Sequence, residues 1–304
     1  MKKRIPIVLK ENGDRAYAEA LSVHLKTALL HTTPDAPVWL SVDADGLSLT
    51  DGDQAMRGDF TKLQKRLQYH NLTHELLVKA TKVKGRERLR VIDATAGMGE
   101  DSLLLAAAGC EVTLYEQDPV IAALLQDTMR RALGEAALHE IVMRMQLVEG
   151  DSIDHLRRLG EAGTGSDAPE DNAGHACPAL TASAATGNGA DASTSGAEGT
   201  TNDAAATTNS ADRALKRPDV IYLDPMFPER QKSGLVKKKF QLIHYLEAPA
   251  ENEETLMQAA IDARPFKIVV KRPAKGPYLA GLKPSYSLDG KAIRYDCYVF
   301  PENA

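Results

Sequence analysis

Carboxylates follow three predicted strands and are candidates for binding a small ligand. Asp93 ends a buried apolar run, Glu116 ends the next strand, and Asp151 with Ser152 follows the third strand in "EGDS". Asp93 can receive a ligand amine or a water, and a carboxylate placed like Glu116 accepts hydrogen bonds from two ribose hydroxyls. Asp151 and Ser152 are placed like a pair that meets an adenine amino group, although Asp151 could instead only cap a helix. The pattern indicates a nucleoside site.

The glycine loop "DATAGMGED", residues 93 to 101, distinguishes between nucleoside ligands. Gly97 and Gly99 permit a tight turn and close approach of a ligand, but Ser102 stands where a dinucleotide-binding loop has its third glycine. Glu100 and Asp101 occupy the helix N-terminus, where a pyrophosphate would otherwise bind. These carboxylates favour a phosphate-free, cationic nucleoside such as S-adenosylmethionine, unless they serve only to complement the helix dipole.

The tetrapeptide "DPMF", residues 224 to 227, follows the fourth predicted strand and suits methyl transfer to an exocyclic amine. The Asp224 carboxylate and the Pro225 carbonyl can accept both amine protons, which turns the nitrogen lone pair toward the methyl donor. Pro225 fixes φ, and Phe227 can stack on a base removed from its helix or loop. The alternative is a proline-rich strand exit with Phe227 in the core.

Cations follow this motif and end the fifth predicted strand. They predict a rim that contacts nucleic-acid phosphates, although such runs are more often plain solvated surface. The predicted rim consists of Arg230, Lys232, Lys237, Lys238, Lys239, Lys271 and Arg272.

Strands and helices alternate from Arg90 onward, which predicts an α/β fold with a doubly wound parallel sheet. Asp118 and Pro119 have the residue types of a helix N-cap and first helical position. "SYSLDGKAIRYDCYVF" predicts two strands around an Asp-Gly turn, and therefore an antiparallel edge. The carboxyl ends of parallel strands in such sheets bind ligands, and the candidate residues above all lie there.

Two further regions precede this sheet. Residues 1 to 55 predict a small α/β lobe with a strand from Ile5 to Leu9, a helix from Asp14 to His31 and two strands joined by "DADG". Residues 56 to 88 predict a basic linking region in which leucines recur at helical spacing. The larger domain spans residues 89 to 304.

Residues 161 to 212 form an insertion of small and polar residues that lacks the apolar surface needed to offset ordering entropy, so we expect it to be disordered. The whole chain of 304 residues has a net charge of −5, from 37 basic and 42 acidic residues. The insertion holds eight of the 42 acidic residues and none of the basic ones. The remaining 34 acidic and 37 basic residues give +3, which is weak support for a nucleic-acid partner.

Composition limits the location and the cofactors. Cys110, Cys177 and Cys297 have no paired spacing, so neither disulfides nor a zinc site is expected, and no metal is predicted. The basic start lacks the long apolar region of a signal peptide, and no run is long enough to cross a bilayer. We expect a soluble protein of the reducing cytoplasm.

The strings "DATAGMGEDS", "CEVTLYEQDPVIAALL", "YLDPMFPERQKSGLVKKK" and "VVKRP" closely resemble the small-subunit ribosomal RNA methyltransferase J family. The resemblance covers roughly residues 57 to 160 and 218 to 300, and it matches the N-terminal lobe loosely. It implies a Rossmann-like class I methyltransferase fold that uses S-adenosylmethionine. The substrate it implies is 16S rRNA or the 30S subunit, methylated on the 2-amino group of a guanine near the 3′ end.

The resemblance also implies particular cofactor contacts. Family members carry Arg at the position of Glu100 and Ser at the position of Asp151, and the insertion has no counterpart in them. The argument from the charge of Glu100 therefore applies to this chain and not to the family. By position, the implied contacts are Glu100, Asp101, Glu116, Gln117, Asp151, Ser152 and Asp224.

Other functions use related patterns. Methylation of DNA adenine or of a protein glutamine employs similar strand-end motifs. The basic stretches disfavour a protein substrate but do not disfavour DNA. An NAD-dependent oxidoreductase shares the glycine loop, and a non-catalytic RNA-binding protein could retain the scaffold. The cofactor motifs favour the methyltransferase over both.

Overall fold

The computed structural model describes residues 4–162, 217–225, 242, 246 and 252–300. The N-terminal part forms a five-stranded sheet in the order β2-β1-β3-β4-β5, with β1 parallel to both of its neighbours. Its elements are β1 (Ile7–Leu9), α1 (Arg15–His24), β2 (Leu29–Leu30), β3 (Trp39–Asp43), β4 (Gly46–Thr50) and β5 (Ala55–Met56). The sequence-derived lobe boundary at residue 55 therefore falls inside β5, a strand that sequence patterns did not predict.

Helix α1 ends at His24, so the prediction that it continues to His31 is wrong. Lys26 adopts a left-handed φ of 50°. The Lys26 N–H donates to the Val23 carbonyl and the Thr27 N–H to the Ser22 carbonyl, which together form a Schellman motif. Glycine is the usual residue at this position, so a lysine there gave no stop signal. The predicted "DADG" hairpin is confirmed, with Asp43 paired to Gly46.

The chain segment that links the first sheet to the second is helical, but its helices are short and interrupted. A 3₁₀ turn (Phe60–Leu63) is followed by α2 (Gln64–Leu67), α3 (Tyr69–Leu72) and α4 (Leu76–Thr81). Gln68 and Glu75 interrupt the helices because both have extended ψ angles, of 136° and 126°. The end of α4 is attached to the larger sheet, since the Lys267 ammonium donates to the carbonyls of Ala80 and Lys82.

The second sheet has seven strands in the order β11-β12-β10-β9-β6-β7-β8. Its strands are β6 (Arg90–Asp93), β7 (Glu111–Glu116), β8 (Met145–Glu149), β9 (Val220–Leu223), β10 (Lys267–Pro273), β11 (Tyr286–Asp289) and β12 (Ile293–Val299). Its helices are α5 (Glu100–Ala107), α6 (Pro119–Ala132), α7 (His139–Val142), α8 (Ser152–Ala162) and α9 (Glu253–Asp262). Glu161 and Ala162, placed in the insertion from sequence, end α8, and residues 163–212 lie outside the described part.

Strand order and direction confirm the predicted doubly wound sheet. β6 to β10 are mutually parallel, and β12 lies antiparallel to β10 and β11, which confirms the terminal hairpin. Strands β7 and β8 are added on one side of β6, and strands β9 and β10 are added on its other side. The order of the strands therefore reverses between β6 and β9, and ligands of doubly wound sheets bind at such a switch point.

Apolar side chains pack on both faces of this sheet, as expected for buried parallel strands. Val220 and Tyr222 contribute to the cluster on the α5 face, and Ile221 and Leu223 to the cluster with α8 and α9. Because successive side chains alternate between faces, neighbouring residues at a strand end point to opposite sides of the sheet.

Helix α6 joins the two sheets. The Asp118 carboxylate caps it by accepting from the Val120 and Ile121 N–H groups, which confirms the predicted N-cap. The buried Asp127 carboxylate accepts from the Leu47 N–H at 3.1 Å and from Arg131 Nε at 2.8 Å, so it ties β4 to the helix. Over the described ranges, no helix has the length and apolarity needed to cross a membrane.

Candidate active site

Three loops at the carboxyl ends of β6, β7 and β8 converge on Glu116. Its Oε2 accepts from the Gly97 N–H at 2.9 Å, and its Oε1 accepts from the Asp118 N–H at 2.8 Å. The Gly150 N–H donates to the Glu116 carbonyl at 2.9 Å. These backbone groups fix the orientation of the Glu116 carboxylate at the ends of the three strands.

The two loop glycines have different roles. Gly97 has a φ of +52°, and a Cβ built there meets nothing within 4 Å. Gly99 has a φ of +74°, and its Cβ would lie 2.6 Å from Leu125 Cδ1. Gly97 therefore borders open space, as does Gly150 across Glu116, whereas Gly99 permits close packing of α5 against α6. The predicted close approach of a ligand stays a prediction, which the open space at Gly97 allows, while the packing against Leu125 gives Gly99 a structural role.

Asp93 lies beneath the glycine loop instead of facing a ligand. The residue is 1% exposed, its Oδ2 accepts from Ser102 Oγ at 2.5 Å, and its Oδ1 accepts from the Thr95 N–H at 3.1 Å. Burial raises the pKa of Asp93 to about 7 against the opposing effect of these hydrogen bonds. One oxygen thus anchors the strand end to α5 and the other holds the loop, while the predicted contact of Asp93 with a ligand amine or a water stays a prediction.

An ammonium group joins the start of α5 to the "DPMF" segment. Lys271 Nζ lies 2.7 Å from Asp101 Oδ2 and 2.8 Å from Asp224 Oδ2. The Tyr222 hydroxyl donates to the same Asp101 oxygen at 2.6 Å. Burial opposes the charge of Lys271, but the two carboxylates raise its pKa above the ordinary value. Sequence reasoning used the negative charge of Asp101 as an argument against a pyrophosphate ligand. The structure shows that the Lys271 ammonium compensates this charge.

Asp224 follows β9 with its backbone held by the glycine loop. Its N–H donates to Thr95 Oγ1 at 2.6 Å, and its side chain is 35% exposed. Burial raises the pKa of Asp224, whereas Lys271 lowers it. Pro225 is buried, and Phe227 lies outside the described residues, as do the predicted rim cations Arg230, Lys232, Lys237, Lys238 and Lys239.

The structure corrects the predicted roles of Lys271 and Arg272. Strand alternation sends them to opposite faces of the sheet. Lys271 points toward Asp101 and Asp224, and Arg272 is 1% exposed, donates to the Pro277 carbonyl and pairs with Glu253 at 3.2 Å. A buried guanidinium cannot contact a phosphate, so the predicted rim does not include Arg272.

The loop after β8 combines capping with a contact to the N-terminal lobe. Asp151 accepts from the Ile153 N–H at 2.9 Å, in the manner of a helix cap, while Ser152 is buried. Glu149 Oε2 lies 2.7 Å from His24 Nε2 at the end of α1. The capping contact gives Asp151 the structural role that the sequence left as the alternative, and its predicted contact with an adenine amino group stays a prediction.

The other predicted residues border these loops. Glu100 and Gln117 are exposed at the start of α5 and just after β7. Within residues 4–162, 217–225 and 252–300, no three His, Cys, Asp or Glu side chains form a group that could hold a metal ion.

Sequence reasoning missed Thr95, Tyr222, Ser102 and the inward role of Lys271. The pairing of β9 with β10 supplies a signal that could have found Lys271. Val270 pairs with Leu223, so the next residue of each strand, Lys271 and Asp224, lie side by side at the same sheet edge. For Thr95 and Tyr222 we find no comparable signal, since their partners depend on how α5 and the loop pack.

The arrangement fits S-adenosylmethionine. Open space next to Gly97 and Gly150 flanks the Glu116 carboxylate, which suits ribose hydroxyls. In the first turn of α5, Asp101 is paired with Lys271, so it is the exposed Glu100 that presents a carboxylate where a phosphate would need free N–H groups. The donor set thus suits a nucleoside without phosphate.

Comparisons with known proteins give the same class. A family model described as "Putative SAM-dependent methyltransferase" matches residues 23–165 and 199–300. Ribosomal RNA small subunit methyltransferase J of Thioalkalivibrio sulfidiphilus is 35% identical over 97% of this chain and 98% of its own length. Its counterpart from Pseudomonas syringae pv. syringae is 32% identical over 96% and 94%.

A solved structure extends the comparison to the fold. The crystal structure of a SAM-dependent methyltransferase from Neisseria gonorrhoeae is 25% identical and superimposes with a TM-score of 0.65, covering 97% of this chain and 95% of that chain. Together with the strand order, this likeness confirms the predicted Rossmann-like class I methyltransferase fold.

Proposed function

Since the chain belongs to the ribosomal RNA small subunit methyltransferase J family, and is a SAM-dependent methyltransferase, we propose that it methylates the 2-amino group of a guanine in 16S rRNA. The guanine lies near the 3′ end of that RNA, and the acceptor is the naked RNA or the 30S subunit. Such a substrate places the enzyme in the cytoplasm. S-adenosylmethionine supplies an electrophilic methyl group on a sulfonium.

The observation that carries the proposal is the position of Asp224 beside the cofactor loops. Its backbone is bonded to Thr95 of the glycine loop, and its carboxylate stands at the sheet edge where the loop around Glu116 opens. A carboxylate fixed there can accept a hydrogen bond from an N–H group of the target amine and so turn the nitrogen lone pair toward the methyl donor. The amine proton becomes acidic only as the carbon–nitrogen bond forms and then passes to the Asp224 carboxylate or to water, so no residue need remove it beforehand.

Cofactor binding is divided among the loops. Glu116 accepts from the ribose hydroxyls, with Gln117 beside it, and Asp151 and Ser152 face the adenine amine. Glu100, Asp101 and Asp224 border the opposite, methionine end. Asp93 acts indirectly by fixing the glycine loop through Ser102 and Thr95.

Exposed cations on the described surface support an RNA partner. Lys275 and Lys291 follow β10 and precede β12, and the Ala274 N–H donates to the Ala292 carbonyl at 3.0 Å, which brings the two lysines together at the carboxyl edge. Phosphate contacts of this kind position RNA without reading its sequence. Phe227 and the cations from Arg230 to Lys239 complete the proposed acceptor side.

The test is methyl transfer from labelled S-adenosylmethionine to unmethylated substrates. Purified protein is incubated with naked 16S rRNA, with 30S subunits and with DNA, and the products are digested to nucleosides. Label in N2-methylguanine at one position near the 3′ end is the expected result. Label in DNA adenine, or in no nucleic acid at all, would contradict the proposal.

A further inference from the structure

Lys271 connects the two carboxylates that border the candidate reaction centre, Asp101 at the start of α5 and Asp224 after β9. Its Nζ lies 2.7 Å from Asp101 Oδ2 and 2.8 Å from Asp224 Oδ2. The Lys271 side chain is 24% exposed, so the ammonium is largely withdrawn from solvent. The contact between Lys271 and Oδ2 orients the Asp224 carboxylate. Its other oxygen, Oδ1, makes no hydrogen bond to that ammonium.

We propose that Lys271 is a positioning residue for methyl transfer, which keeps Asp224 ionised and holds it by Oδ2 so that Oδ1 can accept from the target amine. This inference rests on the proposed function and assigns to Lys271 a role different from a phosphate contact. Strand pairing makes the arrangement rigid, because Val270 and Leu223, the preceding residues, are paired in the sheet. The side chain therefore starts from a fixed backbone beside its partner.

The electrostatic environment shows why a cation is needed. Burial raises the pKa of Asp93 and that of Asp224, and nearby carboxylates raise both further, Asp101 and Asp224 acting on Asp93 and Asp101 acting on Asp224. Lys271 contacts Asp101 and Asp224 directly, and its charge opposes both effects on the pKa of Asp224. The charged and titratable groups around Lys271 and Asp224 are Asp93, Asp101, Tyr222 and Tyr295 on the same side of the sheet, and Arg272 on the other side, whose charge lowers the pKa of Asp224.

The sign of the pH effect follows from these contacts. Methyl transfer requires the ionised form of Asp224, so activity falls as pH drops through its pKa. Loss of the Lys271 charge removes a cation that lowers this pKa. The acid limb of the pH–rate profile should therefore move to higher pH.

The experiment compares wild type with Lys271→Met, Lys271→Arg and the control Lys10→Met, whose lysine is exposed in the N-terminal lobe. For Lys271→Met we expect kcat to fall by about 30-fold or more, with KM for RNA within about threefold, because a contact made in the transition state is lost. Its acid limb should rise by about one pH unit, as expected when an adjacent opposite charge is removed. Lys10→Met should match wild type.

Lys271→Arg gives a second measurement that does not depend on how well the neutral variant folds. It keeps the charge, so its acid limb should stay within about 0.3 pH units of wild type while kcat is partly lost, because a planar guanidinium fits this site differently. A third measurement needs no methyl transfer: the side-chain carboxyl ¹³C resonance of Asp224, assigned by its loss in Asp224→Asn. It should titrate about one unit higher in Lys271→Met than in wild type.

These measurements separate the possible outcomes. If Lys271→Met leaves kcat, the acid limb and the Asp224 titration unchanged, the inference is wrong while the proposed function stands. A raised KM for RNA with weaker salt dependence and an unchanged kcat would make Lys271 a phosphate contact, which also overturns the inference. If wild type methylates no RNA but the Asp224 titration still shifts, the proposed function fails, and the electrostatic hold of Lys271 on Asp224 is retained.

Discussion

The cofactor side and the acceptor side of the site fix their carboxylates by different means. On the cofactor side, Glu116 and Asp151 accept from backbone N–H groups of nearby loops, at 2.8 to 2.9 Å. On the acceptor side, Asp224 shares one ammonium from β10 with Asp101, which also borders the methionine end of the cofactor in the proposed function, and this lysine lies 47 and 170 residues from them in the chain. Local backbone holds the first pair, and a long-range ion pair holds the second.

This difference bears on how each side should respond to mutation. Backbone N–H groups remain when a side chain is replaced. On the cofactor side, replacing a carboxylate should therefore leave these donors without an acceptor, and replacing a loop glycine should strain the backbone. The acceptor side depends on side-chain charge and should respond through catalysis and pH. Four predictions test the contrast, beginning with the largest expected effect.

Asp224→Ala should produce the largest loss on the acceptor side. We expect kcat to fall about 100- to 1,000-fold, the usual cost of removing a preorganised polar contact to a reacting group. Affinity for S-adenosylhomocysteine, measured by calorimetry, should change much less. Asp53→Ala, an exposed carboxylate of the N-terminal lobe, serves as the control and should remain fully active. A fully active Asp224→Ala would remove this residue from the mechanism.

Gly99→Ala should reduce stability far more than Gly97→Ala. Both positions have positive φ, but a Cβ at Gly99 would meet Leu125 Cδ1 at 2.6 Å, whereas one at Gly97 meets nothing within 4 Å. Strain plus overpacking gives about 2–4 kcal/mol for Gly99→Ala, and strain alone about 1–2 kcal/mol for Gly97→Ala. Urea unfolding measures both. Equal losses would show that α5 can shift to accept the extra methyl group.

Glu116→Ala should weaken cofactor binding, because it deprives the Gly97 and Asp118 N–H groups of their acceptor. Removing the carboxylate that accepts from the ribose hydroxyls, and that orders these part-buried donors, costs about 1–3 kcal/mol, which corresponds to a rise in Kd for S-adenosylhomocysteine of about 5- to 150-fold. Glu116→Gln keeps one oxygen and should lose less. If Glu116→Ala bound normally but turned over slowly, the contrast between the two sides would not hold.

Asp93→Asn should change how the free energy of unfolding depends on pH. The folded-state pKa of Asp93, about 7, exceeds the ordinary value of 3.8, so the native state binds a proton that the unfolded state releases between these values. Burial of Asp93 therefore costs more free energy as pH rises toward 7. The variant lacks this titration, so between pH 4.5 and 8 it should gain on wild type by about 3 kcal/mol.

Urea unfolding of wild type and Asp93→Asn at pH 4.5, 6 and 8 measures that difference. Asp53→Asn serves as the control, since an exposed carboxylate should give no trend. A constant difference between wild type and Asp93→Asn across this range would mean that Asp93 is ionised at all three values.

Sequence patterns predicted most of the large sheet because its signals are local. Apolar runs ended by Asp93, Glu116 and Asp224 marked strands and their ligand-binding ends, and Asp118 with Pro119 marked a helix start. Prediction failed where a conformation depends on packing. The left-handed Lys26 ended α1 without a glycine signal, and the linking region broke at Gln68 and Glu75.

The candidate site divides in the same way. Residue type and position along the strands identified the carboxylates and the glycine loop, since these follow from chain-local chemistry. Basic residue type alone suggested a shared surface role for Lys271 and Arg272, but strand alternation places them on opposite faces of the sheet, with Arg272 buried against Glu253.

The sequence by itself determined the order of strands and helices, the glycine loop and the acidic residues at the strand ends. These depend on hydrophobic periodicity and backbone preferences that act over a few residues. Tertiary structure alone decided that Gly99 packs against Leu125, that Asp93 is buried and that Lys271 joins Asp101 to Asp224. Such contacts bring together residues far apart in the chain, and their burial and charge exist only once the sheet and helix α5 have assembled.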